Sequence, residues 1–291
     1  METDMIDNIV SLSQTLLRIR DREFKRYFLR DHSLSNRFSI IVGQRGIGKT
    51  TAMIQHLLGR YGNDIYNHKA LYIQADHFLV SRSSLYEIAD EFYKLGGELI
   101  CFDEIHKYPD WSMELKSIHD TFPNLKILAS GSSALEITRG SHDLSRRAIV
   151  YRMYGMSFRE YIGMNRSIYF DSLTLDAIVT GHQQAACAIV EELEKNGLKV
   201  LALFKEYLEC GYYPYFLEYE DKTQFYMTLD QNIHATLEGD LLVNDEITFE
   251  VGGKNKDSSQ IKNTENAWLA LDNIEIGHGI RIPLWLFGYL Y

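Results

Sequence analysis

Apolar positions follow two rhythms along this chain, one in each half. Between Met5 and Leu29, the residues Ile6, Ile9, Val10, Leu12, Leu16, Leu17 and Ile19 recur at roughly helical spacing among charges. That spacing predicts one or two helices ending in the basic stretch RIRDREFKRYFLR. After the polar break DHSLSN, the run RFSIIV predicts a strand, which leads into GQRGIGKT and a helical TAMIQHLLGRYG that Gly59 and Gly62 are placed to stop. Short apolar runs at 70–76, 98–104, 125–133 and 147–155 predict four more strands, interleaved with the helical segments SSLYEIADEFYKLG and WSMELKSIHDTF. Alternation of strand and helix predicts an α/β fold with a parallel sheet covered on both faces.

Beyond Ser157 the period turns helical, in LTLDAIVTGHQQAACAIVEELEKNG, LKVLALFKEYLECG and FYMTLDQNIHATLEGDLL, with the tyrosine-rich break YYPYFLEYE before the last. The final stretch changes again, with β-rich pieces around a polar, glycine-containing loop. The predicted organisation is an α/β domain over 1–156 with an N-terminal helix, a helical domain over 157–242, and a β-containing tail over 243–291. A tail of that length is too small for an independent core and is expected to dock on one of the other domains. Its apolar end, IPLWLFGYLY, is expected to be buried there rather than exposed as an adhesive patch.

Composition narrows the classes. The 291 residues are 45% hydrophobic and 24% charged, with 20 Gly and 4 Pro, which excludes collagen-like, disordered and disulfide-scaffold proteins. A net charge of −10 gives a bulk field that repels nucleic acid and acidic membranes, so such a partner would need a local basic patch. Three widely spaced cysteines with no CxxC pair point to a reducing compartment. The acidic METDMIDNIVSLSQ lacks the basic start of a secretory signal, and no apolar run reaches ~18 residues, so the expected location is the cytoplasm, without a membrane partner.

The chemistry centres on Gly43, Gln44, Arg45, Gly46, Ile47, Gly48, Lys49 and Thr50, a full G-x-x-x-x-G-K-[ST] match. Glycines let the backbone wrap an anion with its N–H groups inward, and the following helix adds its positive end. Lys49 supplies a mobile charge for the β and γ phosphates, and Thr50 a hydroxyl where Mg²⁺ would sit. Behind this loop, the strand LICF ends in Asp103 and Glu104. The bland reading is a surface acidic pair. The chemical one gives Asp103 a place in the outer shell of Mg²⁺ and makes Glu104 the base that orients and polarises the attacking water. Ser130 and Ser132, at the carboxyl end of another strand, either contact the γ-phosphate or lytic water, or cap a helix SALEIT. Arg146 and Arg147 are either a solvated pair or the source of an arginine finger reaching a neighbouring subunit.

These residues together resemble a family, the AAA+-like P-loop ATPases of bacteria and archaea. The likeness runs through FSIIVGQRGIGKTT, LICFDEIHKYPDWSMELKSIHD, ILASGSSALEI, DLSRRAIVYRMYGMSFREYI, GYYPYF and ITFEVGGKNKDSSQIKNTENAW. It implies strand order 5-1-4-3-2, a helical lid after SFREY, and ATP with Mg²⁺ as ligands. Carried over, residues 43–51, Thr51 included, cradle the nucleotide. Thr50 and Asp103 serve the metal, Lys49 and Glu104 the reaction, Ser132 is the sensor, and Arg147 is the finger within a homo-oligomer.

The chain departs from the family at LEGDLL, which runs directly into VNDEITFEV with no winged-helix module between them. That weakens the expectation of a nucleic-acid partner and leaves any protein partner unspecified. The tail resembles a PD-(D/E)xK nuclease remnant, with Asp245, Glu250 and Lys254 in order. However, E-V-G-G-K holds one residue too many, which on a strand turns the lysine to the opposite face unless a bulge at Gly252 or Gly253 restores it. A structural or interaction tail is the preferred reading. Two functions remain: hydrolysis of ATP, or a slow nucleotide-dependent switch acting through a protein or DNA partner. A GTPase reading ranks lower, because no N-K-x-D string occurs.

Overall fold

A computed structural model of the chain describes residues 3–132, 144, 146–219, 221–233, 248–257 and 267–290. The chain divides into two compact units, Met1–Gly155 and Met156–Tyr291.

The first unit is built on five parallel strands: β1 (Phe38–Val42), β2 (Ala70–Gln74), β3 (Leu99–Asp103), β4 (Lys126–Gly131) and β5 (Ile149–Arg152). They lie in the order β2-β3-β4-β1-β5, which is the order 5-1-4-3-2 expected for a P-loop NTPase fold. The helices are α1 (Thr3–Arg20), α2 (Phe28–Asp31), α3 (Lys49–Arg60), α4 (Leu85–Lys94) and α5 (Trp111–Thr121). The two faces of the sheet are distinct because side chains alternate along each strand. Phe38, Ile40, Leu71, Ile73, Ile100, Phe102, Ile127 and Ala129 form one core with Ile88 and Phe92 of α4 and Leu115 and Ile118 of α5. The alternate positions, Ser39, Ile41, Tyr72, Gln74, Cys101, Asp103, Leu128 and Ser130, turn to the opposite face, where α3 packs against β3 and β4. Every polar residue on that list except Gln74 is buried, so this face holds buried polar groups as well as core.

Local signals explain the element ends. Ser84 starts α4 with a capping box, its hydroxyl accepting from the Glu87 N–H while Glu87 reaches back. Gly59, one of the two glycines expected to stop α3, lies inside the helix. The chain instead reverses at Gly62, in a left-handed conformation (φ +70°), with the Asn63 N–H donating to the Leu58 carbonyl at 2.8 Å. The N-terminal helix α1 lies along β2, the edge strand, and the Ser13 hydroxyl accepts the otherwise unpaired Tyr72 N–H at 3.0 Å.

The second unit holds α6 (Phe158–Arg166), α7 (Leu175–Lys195, bent at Gly181), α8 (Val200–Glu206) running into a π-turn at Tyr207–Gly211, and α9 (Lys222–Ile233). It also holds a parallel sheet, β6 (Thr248–Gly252), β7 (Ala267–Leu271) and β8 (Arg281–Pro283), in the order β6-β7-β8. Ile282, Trp285, Leu286 and Tyr289 share one core with Phe158, Tyr161, Ile162, Ile178, Leu193 and Leu203. The apolar end of the chain is thus covered by the helices of its own unit. Strand β6 stops at Gly252, and the following turn is closed by the Lys256 N–H on the Gly253 carbonyl at 2.9 Å. Lys254 lies in that turn, beyond the reach of the face alternation argued from the E-V-G-G-K spacing. Asp245 and the SALEIT segment lie outside the described residues.

Candidate functional site

Strand β1 delivers the chain into the glycine-rich loop 43–50, and the loop's shape follows from its glycines. Gly46 and Gly48 take left-handed conformations (φ +84° and +96°) that other residues rarely adopt. A Cβ on Gly43 would stand 2.3 Å from the Met153 carbonyl oxygen, so only a glycine lets β1 and the end of β5 approach here. Ile47 is fully buried and pins the loop from beneath, while Gly48 opens α3, whose positive N-terminus faces the loop.

The loop's polar groups converge on the ends of β3 and β4. Lys49 is buried, and its ammonium donates to the carbonyls of Gly43 at 2.9 Å and Gln44 at 2.8 Å. Desolvation lowers its pKa, with the charges of Glu104 and Asp103 opposing that shift. The Thr50 hydroxyl donates to Asp103 Oδ2 at 2.6 Å, tying the first turn of α3 to the last residue of β3. Asp103, only 1% exposed, also accepts from the hydroxyls of Ser130 and Tyr72. A carboxylate buried this deeply is tolerable because three donors satisfy its oxygens.

Glu104 sits just past the strand in a left-handed conformation (φ +53°), rare for a residue with a side chain and worth about 1–3 kcal/mol of strain. Its N–H donates to Ser130 Oγ at 3.2 Å. Its carboxylate lies 3.3 Å from Ser132 Oγ and 3.7 Å from both His106 Nε2 and Lys107 Nζ. Lys107 in turn pairs with Asp76 at 2.6 Å. Ser132 also meets His106 Nε2 at 3.1 Å.

The structure therefore gathers Lys49, Thr50, Asp103, Glu104 and Ser132, and sets Arg147 elsewhere. The Arg147 guanidinium binds Asp120 through two parallel bonds of 2.8 and 2.9 Å, which hold the Asp120 carboxyl well below its ordinary pKa. Ser39 of β1 pairs with Ile149, so Arg147 lies near the amino end of β1, at the opposite end from the loop. The sequence reading missed Tyr72, whose only signal was a polar-tipped aromatic in an aliphatic strand. It also missed Arg26, which is buried and donates to the carbonyls of Ile47 at 2.5 Å, Tyr154 at 3.0 Å and Gly155 at 2.9 Å. Gln55 holds the same N-terminal segment through the carbonyls of Arg22 and Phe24.

Fold and site together define a P-loop NTPase-type α/β unit. Residues 35–162 match the family model of an AAA domain, which supports nucleotide binding. An uncharacterised protein of Methanocaldococcus jannaschii is 30% identical over 200 residues, covering 64% of this chain and 40% of its own length. The chain thus spans less than half of that relative. Similar solved structures include AMPPCP-bound DnaA of Aquifex aeolicus, 15% identical, covering 48% of this chain and 50% of that one at a TM-score of 0.36. PCH-2 of C. elegans is 20% identical, with coverages of 56% and 45% at 0.30. The Walker-type ATPase of Pyrococcus abyssi is 12% identical, with coverages of 74% and 71% at 0.35. No helix among the described residues is long and apolar enough to cross a membrane.

Proposed function

We propose that the first unit binds ATP with Mg²⁺ and hydrolyses it. The observation that carries this reading is the Thr50 to Asp103 contact of 2.6 Å, which joins the phosphate loop to the β3 carboxylate with Glu104 beside it. The donor set suits Mg²⁺. Hydroxyl and carboxylate oxygens are its preferred ligands, and it commonly takes one or two protein groups plus phosphates and water. Bound by Thr50 and Asp103, the metal would neutralise charge on the phosphate oxygens.

The chain's own residues do the rest. Residues 43–51 present backbone N–H groups to the phosphates, and Lys49 exchanges its carbonyl partners for phosphate oxygens. Glu104 accepts a proton from, or orients, the attacking water, and Ser132 at the end of β4 positions that water or Glu104. The helices of 157–242 act as a lid, and the 243–291 tail has a structural role. Arg147 serves a neighbouring subunit if the chain assembles, and a protein or nucleic-acid partner belongs to the same set of proposals.

A second reading, a slow nucleotide-dependent switch, draws support from the three neighbours already engaging the Glu104 carboxylate, since a base held by Ser132, His106 and Lys107 must be released to work. One experiment tests both: steady-state phosphate release with MgATP for wild type, Glu104→Gln and Lys49→Ala. Hydrolysis requires Glu104→Gln to bind ATP yet lose ~10²- to 10⁴-fold in turnover. It also requires Lys49→Ala to lose the nucleotide-induced rise in stability, ~2.7 kcal/mol at 100 times the dissociation constant. Wild-type turnover in Glu104→Gln rejects the base. An undiminished nucleotide-induced shift in Lys49→Ala rejects the site.

A further inference from the structure

The Asp103 carboxylate has one partner that belongs to neither the phosphate loop nor the ends of β3 and β4. Tyr72 of the edge strand β2 donates its hydroxyl to Asp103 Oδ2 at 2.7 Å and is itself 1% exposed. The same phenol oxygen accepts from Arg20 Nη1 at 3.3 Å, and Arg20 Nη2 reaches Gln74 Oε1 at 3.4 Å. Arg20 is the last residue of α1, the helix whose Ser13 hydroxyl also holds the Tyr72 backbone. Strand register explains the meeting. Gln74 pairs with Asp103 and Tyr72 with Cys101, so Tyr72, Gln74 and Asp103 share the α3 face of the sheet and the phenol reaches diagonally across it.

We propose that Arg20 and Tyr72 form a relay from the C-terminal end of α1 to Asp103, with Tyr72 as a positioning residue for the metal-binding carboxylate. Three hydroxyls share the two oxygens of Asp103, and the two on Oδ2 come from Thr50 and Tyr72. When Thr50 turns its hydroxyl to a metal, Tyr72 remains to orient Oδ2. The phenol oxygen accepts from Arg20 while its hydroxyl donates to Oδ2, so the geometry holds it as a donor to the carboxylate. Arg20 polarises that donor, because a hydroxyl that accepts from a cation donates more strongly. The position of α1 thereby biases the metal site, and metal binding biases α1 in return.

This inference rests on the MgATP reading, and its test separates the two. Nucleotide affinity is measured by titration with a fluorescent ATP analogue in EDTA and across a Mg²⁺ series, for wild type, Tyr72→Phe, Arg20→Met and the double variant. Thermal denaturation without nucleotide verifies folding. The relay requires Tyr72→Phe to keep its metal-free affinity and to raise the Mg²⁺ midpoint roughly tenfold, the equivalent of one hydrogen bond to a charged group. It requires Arg20→Met to raise the midpoint by a smaller factor, and to add nothing in the Tyr72→Phe background. Amide exchange in α1 should slow on adding Mg²⁺ to the ATP complex in wild type and not in Tyr72→Phe. A wild type with no Mg²⁺-dependent gain in affinity overturns the site and the relay together. A wild type that shows the gain, matched by Tyr72→Phe, overturns the relay alone. So does an Arg20→Met effect that survives in the double variant.

Discussion

A methyl group added to Gly43 meets the Met153 carbonyl oxygen at 2.3 Å and Ile47 Cδ1 at 2.5 Å, and the first of these is backbone that cannot swing away. Gly43→Ala is therefore expected to push β1 and the loop apart, lowering stability by about 1–3 kcal/mol and weakening nucleotide binding. Thermal melts with and without MgATP measure both. A variant that melts like wild type and keeps the nucleotide shift removes the steric account. A second residue-scale outcome concerns His56 of α3. Burial first, then the cations Arg60 and Lys126, depress its pKa to about 4, against about 6.5 in an unfolded chain. In that window the unfolded state binds the proton and the folded state does not, so stability falls as pH falls from about 6.5 toward 4. His56→Gln should flatten that part of the stability profile in denaturant titrations. An unchanged slope assigns it to other groups.

Among the elements, α6 shows how a local signal and a distant contact combine. Ser157 and Glu160 form a capping box that starts the helix, and both are buried. The first residue of that helix, Phe158, is in turn approached by Gly288, where an added Cβ would lie 2.5 Å from Phe158 Cβ. Tyr289 beside it meets the Phe158 ring edge-on at 5.9 Å, and the Leu173 N–H donates to the Tyr289 carbonyl at 2.8 Å. Gly288→Ala should accordingly lower stability by about 1–3 kcal/mol, since the clash is with atoms fixed close to the backbone. Chemical denaturation reports this, and an unperturbed midpoint would mean the tail docks more loosely than its burial implies.

For the whole molecule, the place of Arg147 bears on assembly. Arg147 is bound to Asp120 at the far end of β1 from the loop, so it has no route to the phosphates of its own chain without leaving that pair and crossing the strand. A role in hydrolysis requires a second copy. Turnover per chain should then rise with protein concentration, and mixing excess Arg147→Ala with Glu104→Gln should restore part of the activity. A concentration-independent rate with no rescue leaves Arg147 as half of an exposed ion pair, a contact of small energetic value.

The phosphate loop, the Asp103 and Glu104 pair, and the five-strand alternation were legible in the sequence because each is local. A glycine spacing and an apolar run ending in carboxylates fix backbone shape and side-chain face within a few residues. Polar partnerships between distant segments were not legible, since a hydroxyl or guanidinium carries no periodicity that names its partner. Tyr72 meets Asp103 only because β2 pairs with β3 in one register, and Arg20 meets Tyr72 only because α1 lies along the sheet edge. Arg26 looked like one charge in a basic stretch until the fold brought its guanidinium beneath three carbonyls. For Arg147, chain order puts it at the amino end of β5, and the parallel register with β1 sets that end away from the loop. Sequence alone determined the elements and the shape of the glycine-rich loop, because these follow from local backbone and side-chain preferences. Only tertiary structure decided which groups satisfy the buried Asp103, because burial makes each of its oxygens demand a donor and packing alone selects the donor that arrives.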